Sequence, residues 1–381
     1  MEQTGSTFKV PLTTIKEILP HNNAERLEIA VVYGFQVVVQ KGRYKVGDEV
    51  LYCPIDAILP VRIQDILFPP DSKIKLTKSR VRQIRIRGIA SQGMLINPSD
   101  VLDLDQLRRM GTYEPEEDYA DTLGITKYEP PEVNHGIPGT PRQRNKKREN
   151  PNFHQYNGLD NIKWYPDKFK PDEIVVIQEK IHGTNARAAL MPFVADTLWK
   201  KLKKLVGLAP DYEFCYGSNQ VQLQNKSGHK GFYGEDVYGK VFANLNAEYK
   251  LQPGEAIYGE IYGEGIQKNY SYGTKEHKFV LFDVKILQPD GTQRWLNPDE
   301  VTEFAKQRGF DITPELYRGP FQNLQFVKEF TVGPSVLAPS QKVREGVVVK
   351  SVNNYDEYGN KRALKVISEA YLDDHNNTDG H

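Results

Sequence analysis

The stretch EIVVIQEKIHGTNAR, residues 173–187, decides the fold of the second half of the chain. Its apolar run at 174–177 predicts a buried strand, and Gly183 predicts a turn soon after that strand. Lys180 would then hold its amine at the floor of a pocket with room for a ligand. The Lys-x-x-Gly spacing is common by chance. Taken alone, the motif therefore fits a surface lysine before a turn better than it fits a lysine in a ligand pocket.

Four further motifs follow Lys180 along the chain. They are YGE at 258–260, LFDV at 281–284, REGVVVK at 344–350 and ALKV at 363–366. Strand-like segments alternate here with two helix candidates, at 196–207 and 298–309. The first places leucines on one face and lysines on the other. The sequence therefore predicts a mixed α/β region from about residue 153 onward.

The N-terminal part of the chain, from about residue 8 to residue 105, has a different pattern. Short runs rich in Val, Ile and Tyr are separated by glycines, as in VVYGFQVVVQKG at 31–42 and VRQIRIRG at 81–88. Several short strands without long helices predict a small β-barrel. We expect four segments: a barrel domain at 1–110, a linker at 111–152, an α/β domain at 153–372 and a disordered tail at 373–381.

The linker is rich in Pro, Gly, Glu and Asn and lacks a hydrophobic period. It ends in IPGTPRQRNKKREN, residues 137–150, which carries five basic residues. This run fits a solvated flexible linker, and it also fits an arm that contacts phosphates.

Composition limits the function classes. The 50 basic residues balance 50 acidic residues, which excludes a bulk polycation, so nucleic acid would have to bind local basic patches. No apolar run resembles a signal peptide or a membrane span, so we expect a cytoplasmic or nuclear protein without membrane contact. Cys53 and Cys215 lack metal-site spacing and indicate a reducing compartment. We expect a monomer without an obligate protein partner.

The order and spacing of the five motifs resemble those of the covalent nucleotidyltransferases, which include ligases and capping enzymes. The run at 161–187 is similar to the entry of the RNA ligase 2-like branch. The segments at 21–60, 85–96 and 123–131 are similar to the N-terminal OB domain of one RNA ligase family. The chain thus resembles an OB-fused, ATP-dependent RNA ligase of the RNA ligase 5-like family, over all but the basic linker and the tail.

This resemblance implies an α+β protein, with an OB-fold barrel followed by an adenylyltransferase domain built on antiparallel sheets. It implies an enzyme that joins a 3′-OH to a 5′-phosphate, at nicks with RNA on the 3′-OH side, through a lysine–AMP intermediate. ATP and Mg²⁺ or Mn²⁺ would be its cofactors. Lys180 would be the nucleophile, and Lys365 would neutralise the α-phosphate during transfer.

The resemblance also implies roles for residues of the middle motifs. Glu260 would contact the ribose and the metal, and Glu345 would orient the waters of an octahedral cation. Phe282 would stack on the adenine, and Lys350 would assist at the phosphates.

Residues around the nucleophile are also implied in nucleotide or metal binding. Thr184 and Asn185 would position the nucleotide together with Glu179, and Arg187 would contact phosphate or lie at the surface. His182 stands where the wider superfamily often has an aspartate, which makes it a candidate metal contact.

Two further departures from the family pattern concern substrate contacts. The last motif often has two lysines separated by one residue, whereas Lys365 has Ala363 before it and Ile367 after it. Lys361 or Arg362 could supply the missing charge. Asn219 stands where the phage-type branch has an arginine, so the 3′-OH end would be recognised by other residues.

The stretch at 73–87, KIKLTKSRVRQIRIR, carries seven basic residues and no acidic residue. In a strand, Arg80 and Arg82 share one face, and Arg85 and Arg87 share the opposite face. A bulge or turn between the two pairs could bring them together. We expect either a ribbon that follows the nucleic-acid backbone or a solvated strand surface. The ribbon would comprise Arg80, Arg82, Arg85 and Arg87.

Two other functions compete with an RNA ligase. DNA ligases and capping enzymes usually carry an OB domain after the last motif, and residues 366–381 are too few for one. A non-catalytic OB-type nucleic-acid-binding protein would not need Lys180, Glu260, Glu345 and Lys365, and the chain retains all four.

Overall fold

The computed structural model describes most of the chain. The described residues are 8–69, 72, 75–111, 113–128, 150–195, 197–223, 236–355, 361–374 and 377–378. The basic run at 137–149 lies outside them, so the choice between a linker and a phosphate-contacting arm stays a prediction.

The N-terminal part forms short strands and short helices. The strands are β1 (Leu12–Thr14), β2 (Glu17–Pro20), β3 (Leu27–Val32), β4 (Phe35–Gln40), β5 (Glu49–Cys53), β6 (Ala57–Ile58), β7 (Ile84–Ile86), β8 (Ile89–Ser91), β9 (Met94–Ile96) and β10 (Thr126–Lys127). The helices are α1 (Val61–Leu67), α2 (Pro98–Val101), α3 (Leu104–Met110) and α4 (Ala120–Leu123), with a 3-10 turn at Thr77–Ser79.

These strands pair in small antiparallel sheets around two apolar clusters. The sheets have the orders β1-β5-β9, β2-β3-β4, β7-β8 and β10-β6. The predicted barrel boundary at residue 110 falls too early, because Tyr119, Leu123 and Ile125 are buried in the barrel's core. A single turn of helix, α4, ended by Gly124 at a φ of 66°, is too short to show a hydrophobic period in the sequence.

The second part contains longer strands. They are β11 (Ile174–Lys180), β12 (Thr184–Pro192), β13 (Tyr212–Ser218), β14 (Gln222–Leu223), β15 (Glu255–Tyr262), β16 (Lys278–Leu287), β17 (Gln293–Trp295), β18 (Glu315–Pro320), β19 (Gly346–Tyr355) and β20 (Lys361–Ile367). The helices are α5 (Leu198–Leu205), α6 (Val237–Asn244), α7 (Ala247–Lys250), α8 (Pro298–Arg308), α9 (Leu324–Glu329) and α10 (Glu369–Leu372), with a 3-10 turn at Ile162–Trp164.

Two antiparallel sheets form the frame of this part. One has the order β18-β11-β19-β20, and the other has the order β14-β13-β12-β15-β16-β17. Helices α6 and α8 pack on the six-stranded sheet, and α9 packs against the four-stranded sheet. Because β11 leaves one sheet and β12 begins the other, the chain crosses between the sheets at 181–183.

The two parts of the molecule are in direct contact. Trp164 lies inside the barrel's aromatic cluster, with ring centroids 5.0 Å from Phe35 and 5.3 Å from Tyr52. The buried Lys163 amine donates to Gln92 Oε1 at 2.8 Å. The barrel therefore packs against the chain just before β11, rather than being separated from it.

The start of the expected disordered tail also contacts the barrel. Asp373 accepts hydrogen bonds from Gln83 and Arg85, and the carbonyl of Asn377 accepts one from Arg80. Residues 375–376 and 379–381 lie outside the described residues. The expectation of disorder from residue 373 is therefore wrong for Asp373 and Asn377, because the barrel supplies partners that a local pattern cannot show.

Candidate active site

A cavity opens where the two sheets of the second part face each other. Both sheets contribute side chains to its wall. The four-stranded sheet supplies Gln178, Lys180, Val348, Lys350 and Lys365. The six-stranded sheet supplies Asn185, Glu260 and Phe282, and Asn219 follows its strand β13. The motifs that are far apart in the sequence therefore meet in one place.

Lys180, in the wall of the cavity, pairs with the buried Glu345. The antiparallel register places Lys180 opposite Gly346, so that Glu345 lies beside the end of β11. Lys180 Nζ lies 2.6 Å from Glu345 Oε1. Glu345 Oε2 is buried without a hydrogen-bond partner. The carboxylate thus holds the amine in place and keeps an acceptor oxygen available.

Glu260 faces the same amine from the other sheet. Its Oε1 accepts a hydrogen bond from the Gly183 amide at 3.1 Å. Burial raises the pKa of Glu260 to about 8, against the lowering effect of Lys180 and with a further rise from Glu345. Burial therefore favours the protonated form of this carboxyl.

A second group of charges supports Lys350. Its buried amine donates to the Phe282 carbonyl at 2.6 Å and to Asp283 Oδ1 at 3.0 Å. Burial raises the pKa of Asp283, but Lys350 and Lys361 outweigh it and hold that pKa below its usual range. Lys361 also contacts Asp283, and burial lowers the pKa of Lys361 to about 8. Asp283 therefore pairs with two cations, of which Lys350 lines the cavity and Lys361 does not.

Phe282 and Lys365 complete the wall. The half-buried ring of Phe282 meets Tyr156 edge-on, with centroids 4.9 Å apart and planes at 64°. Lys365 lies opposite Val348 in the pairing of β19 with β20, and its side chain is buried against the cavity. An aromatic ring and several cations thus line one pocket, which suits a planar base attached to phosphates.

Comparison with known proteins agrees with this arrangement. A family model described as RNA ligase matches residues 173–367. This chain belongs to the RNA ligase family. A second model, described as an OB-fold domain, matches residues 10–98 of this ligase. A search of curated proteins gave no match.

Solved structures of a Naegleria gruberi RNA ligase share the fold of this ligase. A mutant with ATP and Mn is 22% identical with a TM-score of 0.72, covering 97% of this chain and 99% of that chain. The enzyme with PPi is 22% identical with a TM-score of 0.69, covering 96% of this chain and 98% of that chain. A mutant with AMP and Mn is 22% identical with a TM-score of 0.71, covering 96% of this chain and 98% of that chain. The predictions of an RNA ligase, an OB barrel and antiparallel sheets are confirmed.

Gln178 and Thr313 line the cavity of this ligase and were not expected from the sequence. Gln178 Oε1 and Thr313 Oγ1 are buried without a hydrogen-bond partner, as is Asn185 Oδ1. Gln178 lies two residues before Lys180 on the same strand face, and this alternation was a usable signal. Thr313 lies in a loop held by the pairing of Leu281 with Ile312, and no sequence motif marks it.

Three implied nucleotide contacts have other partners in this ligase. Glu179 Oε2 accepts the amide of Val336 at 2.7 Å, so its carboxylate holds the loop that leads to Glu345. The Thr184 hydroxyl lies 2.9 Å from the Tyr238 hydroxyl. Arg187 is fully buried and donates to the carbonyls of Ser218 and Phe153. Thr184 and Arg187 do not line the cavity, and Arg187 is not at the surface.

His182 lies behind Glu345 rather than in the cavity wall. Its Nδ1 is 3.7 Å from Glu345 Oε2, and its ring meets Tyr270 and Tyr371 edge-on at 4.7 and 5.2 Å. Burial lowers the pKa of His182, against the raising effect of Glu345. The ring packs between the two tyrosines and supports the carboxylate from behind.

The two candidates for the missing charge of the last motif do not reach the cavity. Lys361 is held by Asp283, and Arg362 NH1 lies 3.1 Å from Glu173 Oε2. Among the residues that the structure describes, the lysines that line the cavity are Lys180, Lys350 and Lys365. Asn219 also lines it and accepts the Tyr156 amide at 2.7 Å.

The expected arginine ribbon is not a single surface. Arg80 is buried, pairs with the buried Asp56 through Nε at 2.9 Å, and lies 3.9 Å from the ring of Tyr128. Arg85 Nε lies 2.9 Å from Asp373 Oδ2. Arg82 is half-buried and Arg87 is exposed. The ribbon prediction is wrong for Arg80, because Asp56, 24 residues away, draws its guanidinium inward.

Among the residues that the structure describes, no group of three or more His, Cys, Asp or Glu side chains could hold a metal ion. Within the same residues, no helix is long and apolar enough to span a membrane.

Proposed function

We propose that this chain is an ATP-dependent RNA ligase that carries AMP on Lys180. It would join a 3′-OH to a 5′-phosphate at nicks with RNA on the 3′-OH side. The observation that supports this most is the position of Lys180, held at 2.6 Å by Glu345 in a cavity walled by Phe282, Lys350 and Lys365. ATP would bind in this cavity with its base against Phe282.

The first step would form a bond between Lys180 Nζ and the α-phosphorus of ATP and break the bond to pyrophosphate. A free lysine amine is mostly protonated near neutrality, and the attacking form must lose that proton. Glu345 Oε1 is the acceptor nearest the amine. Lys365 and Lys350 would stabilise the negative charge that develops on the phosphate oxygens.

The second step would move AMP from Lys180 to the 5′-phosphate of the RNA and restore the amine. In the third step the 3′-OH oxygen would attack the activated 5′-phosphate and release AMP. Lys350 and Lys365, which line the cavity beside Lys180, would also stabilise charge on the AMP phosphate in the later steps.

The carboxylates present fit a divalent cation that keeps most of its own waters. Mg²⁺ binds with few direct protein ligands, so a group of three acidic side chains is not required. Glu345 Oε2 is a buried oxygen without a hydrogen-bond partner, and Glu260, which lines the cavity, is near enough for Glu345 to raise its pKa. Glu345 and Glu260 would hold Mg²⁺ or Mn²⁺ through waters, and the ion would neutralise phosphate charge.

Gln178 and Thr313 would recognise the base of the nucleotide. Both present unsatisfied oxygens inside the cavity, and Gln178 Oε1 can only accept a hydrogen bond. The exocyclic amino group of adenine is a donor, so it would satisfy these oxygens. Guanine carries a carbonyl at the corresponding ring position, so it would leave the acceptor Gln178 Oε1 unpaired, although the Thr313 hydroxyl could donate to that carbonyl.

The N-terminal barrel would hold the RNA, since OB folds commonly bind single strands and duplex ends. Among the four arginines first considered, Arg87 is the exposed one without a described ion pair and is the best candidate for a phosphate contact. We expect a monomer without an obligate protein partner.

A sealing assay with four matched nicks tests the proposed specificity. Each nick places RNA or DNA on the 3′-OH side and on the 5′-phosphate side, with ATP and Mn²⁺ or Mg²⁺ supplied. We expect sealing where the 3′-OH strand is RNA, whatever the 5′ strand. Equal sealing of all four nicks would contradict the RNA requirement, and sealing without ATP would contradict the nucleotide requirement.

A further inference from the structure

Helix α5 turns its apolar face away from the protein. Three of its side chains keep most of their surface in contact with solvent: Leu198 is 86% exposed, Leu205 83% and Trp199 65%. Leu202 is 49% exposed. An amphipathic helix of a globular protein normally buries its apolar stripe. This helix, at the tip of the hairpin between β12 and β13, does the opposite.

The side of α5 that touches the rest of the molecule is a lysine side. Lys200 Nζ donates to the Val194 carbonyl at 3.3 Å and lies 5.3 Å from the centre of the Phe193 ring. At about 100° per residue, Lys200 points opposite to the leucines. The orientation of α5 therefore leaves its leucine face available for a partner.

The charge of this segment restricts what that partner can be. Residues 197–210 contain four lysines and no acidic residue. Lys201 and Lys203 lie at the two borders of the apolar face. Two copies packed face to face would bring these lysines together without a carboxylate to pair them. A nucleic-acid backbone would suit the lysines but would not bury the leucines.

We propose that α5 docks on an anionic lipid surface, in contrast to the expectation from the sequence of no membrane contact. Leucine and tryptophan side chains would enter the boundary between headgroups and acyl chains, and the bordering lysines would meet the lipid phosphates. Val206 and Leu208, 56% and 75% exposed, extend the apolar strip past the helix end. This proposal rests on α5 alone and is independent of the chemistry proposed for the cavity.

Vesicle co-sedimentation of the full-length protein tests the proposal. The probes are vesicles of phosphatidylcholine alone and vesicles in which about a quarter is phosphatidylserine. We expect binding to the anionic vesicles, weakening with salt, and little binding to the neutral ones. Leu198→Asp should reduce the partition coefficient about tenfold or more, because a buried leucine is replaced by a charge that lipid phosphates repel.

Tyr249→Asp is the matched control, because Tyr249 is also 86% exposed but lies on α7. It should bind like the wild type. Leu198 lies outside the cavity, so both variants should keep wild-type labelling by ATP, which shows that they fold. Loss of vesicle binding in both variants alike would contradict the assignment to α5.

Tryptophan fluorescence gives an independent readout. The chain has three tryptophans, of which Trp164 and Trp295 are buried and Trp199 is exposed on α5. Anionic vesicles should therefore shift the emission to shorter wavelength in the wild type, and Trp199→Phe should abolish the shift.

Three results would overturn the proposal. The first is equal binding to neutral and anionic vesicles, which would remove the role of the lysines. The second is no binding to either vesicle at low salt. The third is a dimer in sedimentation velocity that Leu198→Asp converts to a monomer, which would assign the face to a second copy of this chain.

Discussion

The amine of Lys180 lies 2.6 Å from one carboxylate oxygen of Glu345, while the other oxygen of that carboxylate has no hydrogen-bond partner. Residue 180 ends β11 and residue 345 precedes β19, so the pair depends on the register of two neighbouring strands. The proposed chemistry depends on this pair, and the first prediction concerns its charge.

Glu345→Gln should lower the rate of ATP labelling by about a hundredfold or more, because it removes a charge that would act on the metal and the amine. The shape of the side chain is nearly preserved, so the melting temperature should stay near that of the wild type. Glu264→Gln makes the same change at an exposed position and should leave the labelling rate unchanged. A large fall in melting temperature for Glu345→Gln would indicate a structural role instead.

Glu260 should make the stability of the empty protein depend on pH. Its pKa rises from 4.5 to about 8 on folding, so the folded state binds the proton more tightly than the unfolded state does. Stability should therefore fall as pH rises from about 4.5 to 8. Glu260→Gln should remove this contribution. As pH rises toward 8, the urea midpoint of the wild type should fall relative to that of Glu260→Gln. If the two midpoints changed with pH in parallel, the raised pKa would be contradicted.

Thr313→Val should separate binding from stability. It removes an unpaired buried hydroxyl, so the empty variant should be at least as stable as the wild type. It should raise KM for ATP by about tenfold, the scale of one lost hydrogen bond, and leave kcat nearly unchanged. Thr302→Val, on α8, should leave KM unchanged. An unchanged KM for Thr313→Val would remove Thr313 from base recognition.

Arg80 and Arg87 should behave differently when each is replaced by alanine. Arg80→Ala leaves Asp56 buried without its cation and should cost about 3–5 kcal/mol in the free energy of unfolding. Arg87→Ala should leave stability unchanged and reduce the salt dependence of RNA binding by about one unit of slope. Denaturant unfolding and RNA titrations at several salt concentrations check both. If Arg80→Ala were stable and lost only RNA affinity, the buried ion pair would be contradicted.

The sequence was sufficient to predict the RNA ligase family, and several of the motif residues line the cavity. Lys180, Glu260, Phe282 and Lys365 lie in short motifs on strands, and each motif keeps its residues together locally. A strand places alternate side chains on one face. Once one residue of a strand motif is known to face the cavity, the direction of the other side chains in that motif follows. Lys180 and Lys365 both line the cavity, and the catalytic roles that the resemblance implies for them stay predictions.

What the sequence could not predict depends on contacts between distant residues. Arg187 and Arg80 both appear as ordinary cations in the sequence, and each is buried by partners from another element. Thr313 is placed at the cavity because its neighbour Ile312 pairs with Leu281 of β16. Thr313 lies in no sequence motif of its own. Charged side chains are rarely buried without a partner, and the position of that partner is set only by the tertiary fold.

The identity of the residue that carries AMP tests the central claim most directly. The protein is incubated with ATP and Mn²⁺, digested, and its peptides are examined by mass spectrometry for the added mass of AMP. We expect the modification on Lys180 alone, its absence from Lys180→Ala, and sealing of pre-adenylylated RNA ends by that variant. AMP on another residue, or full labelling of Lys180→Ala, would contradict the account.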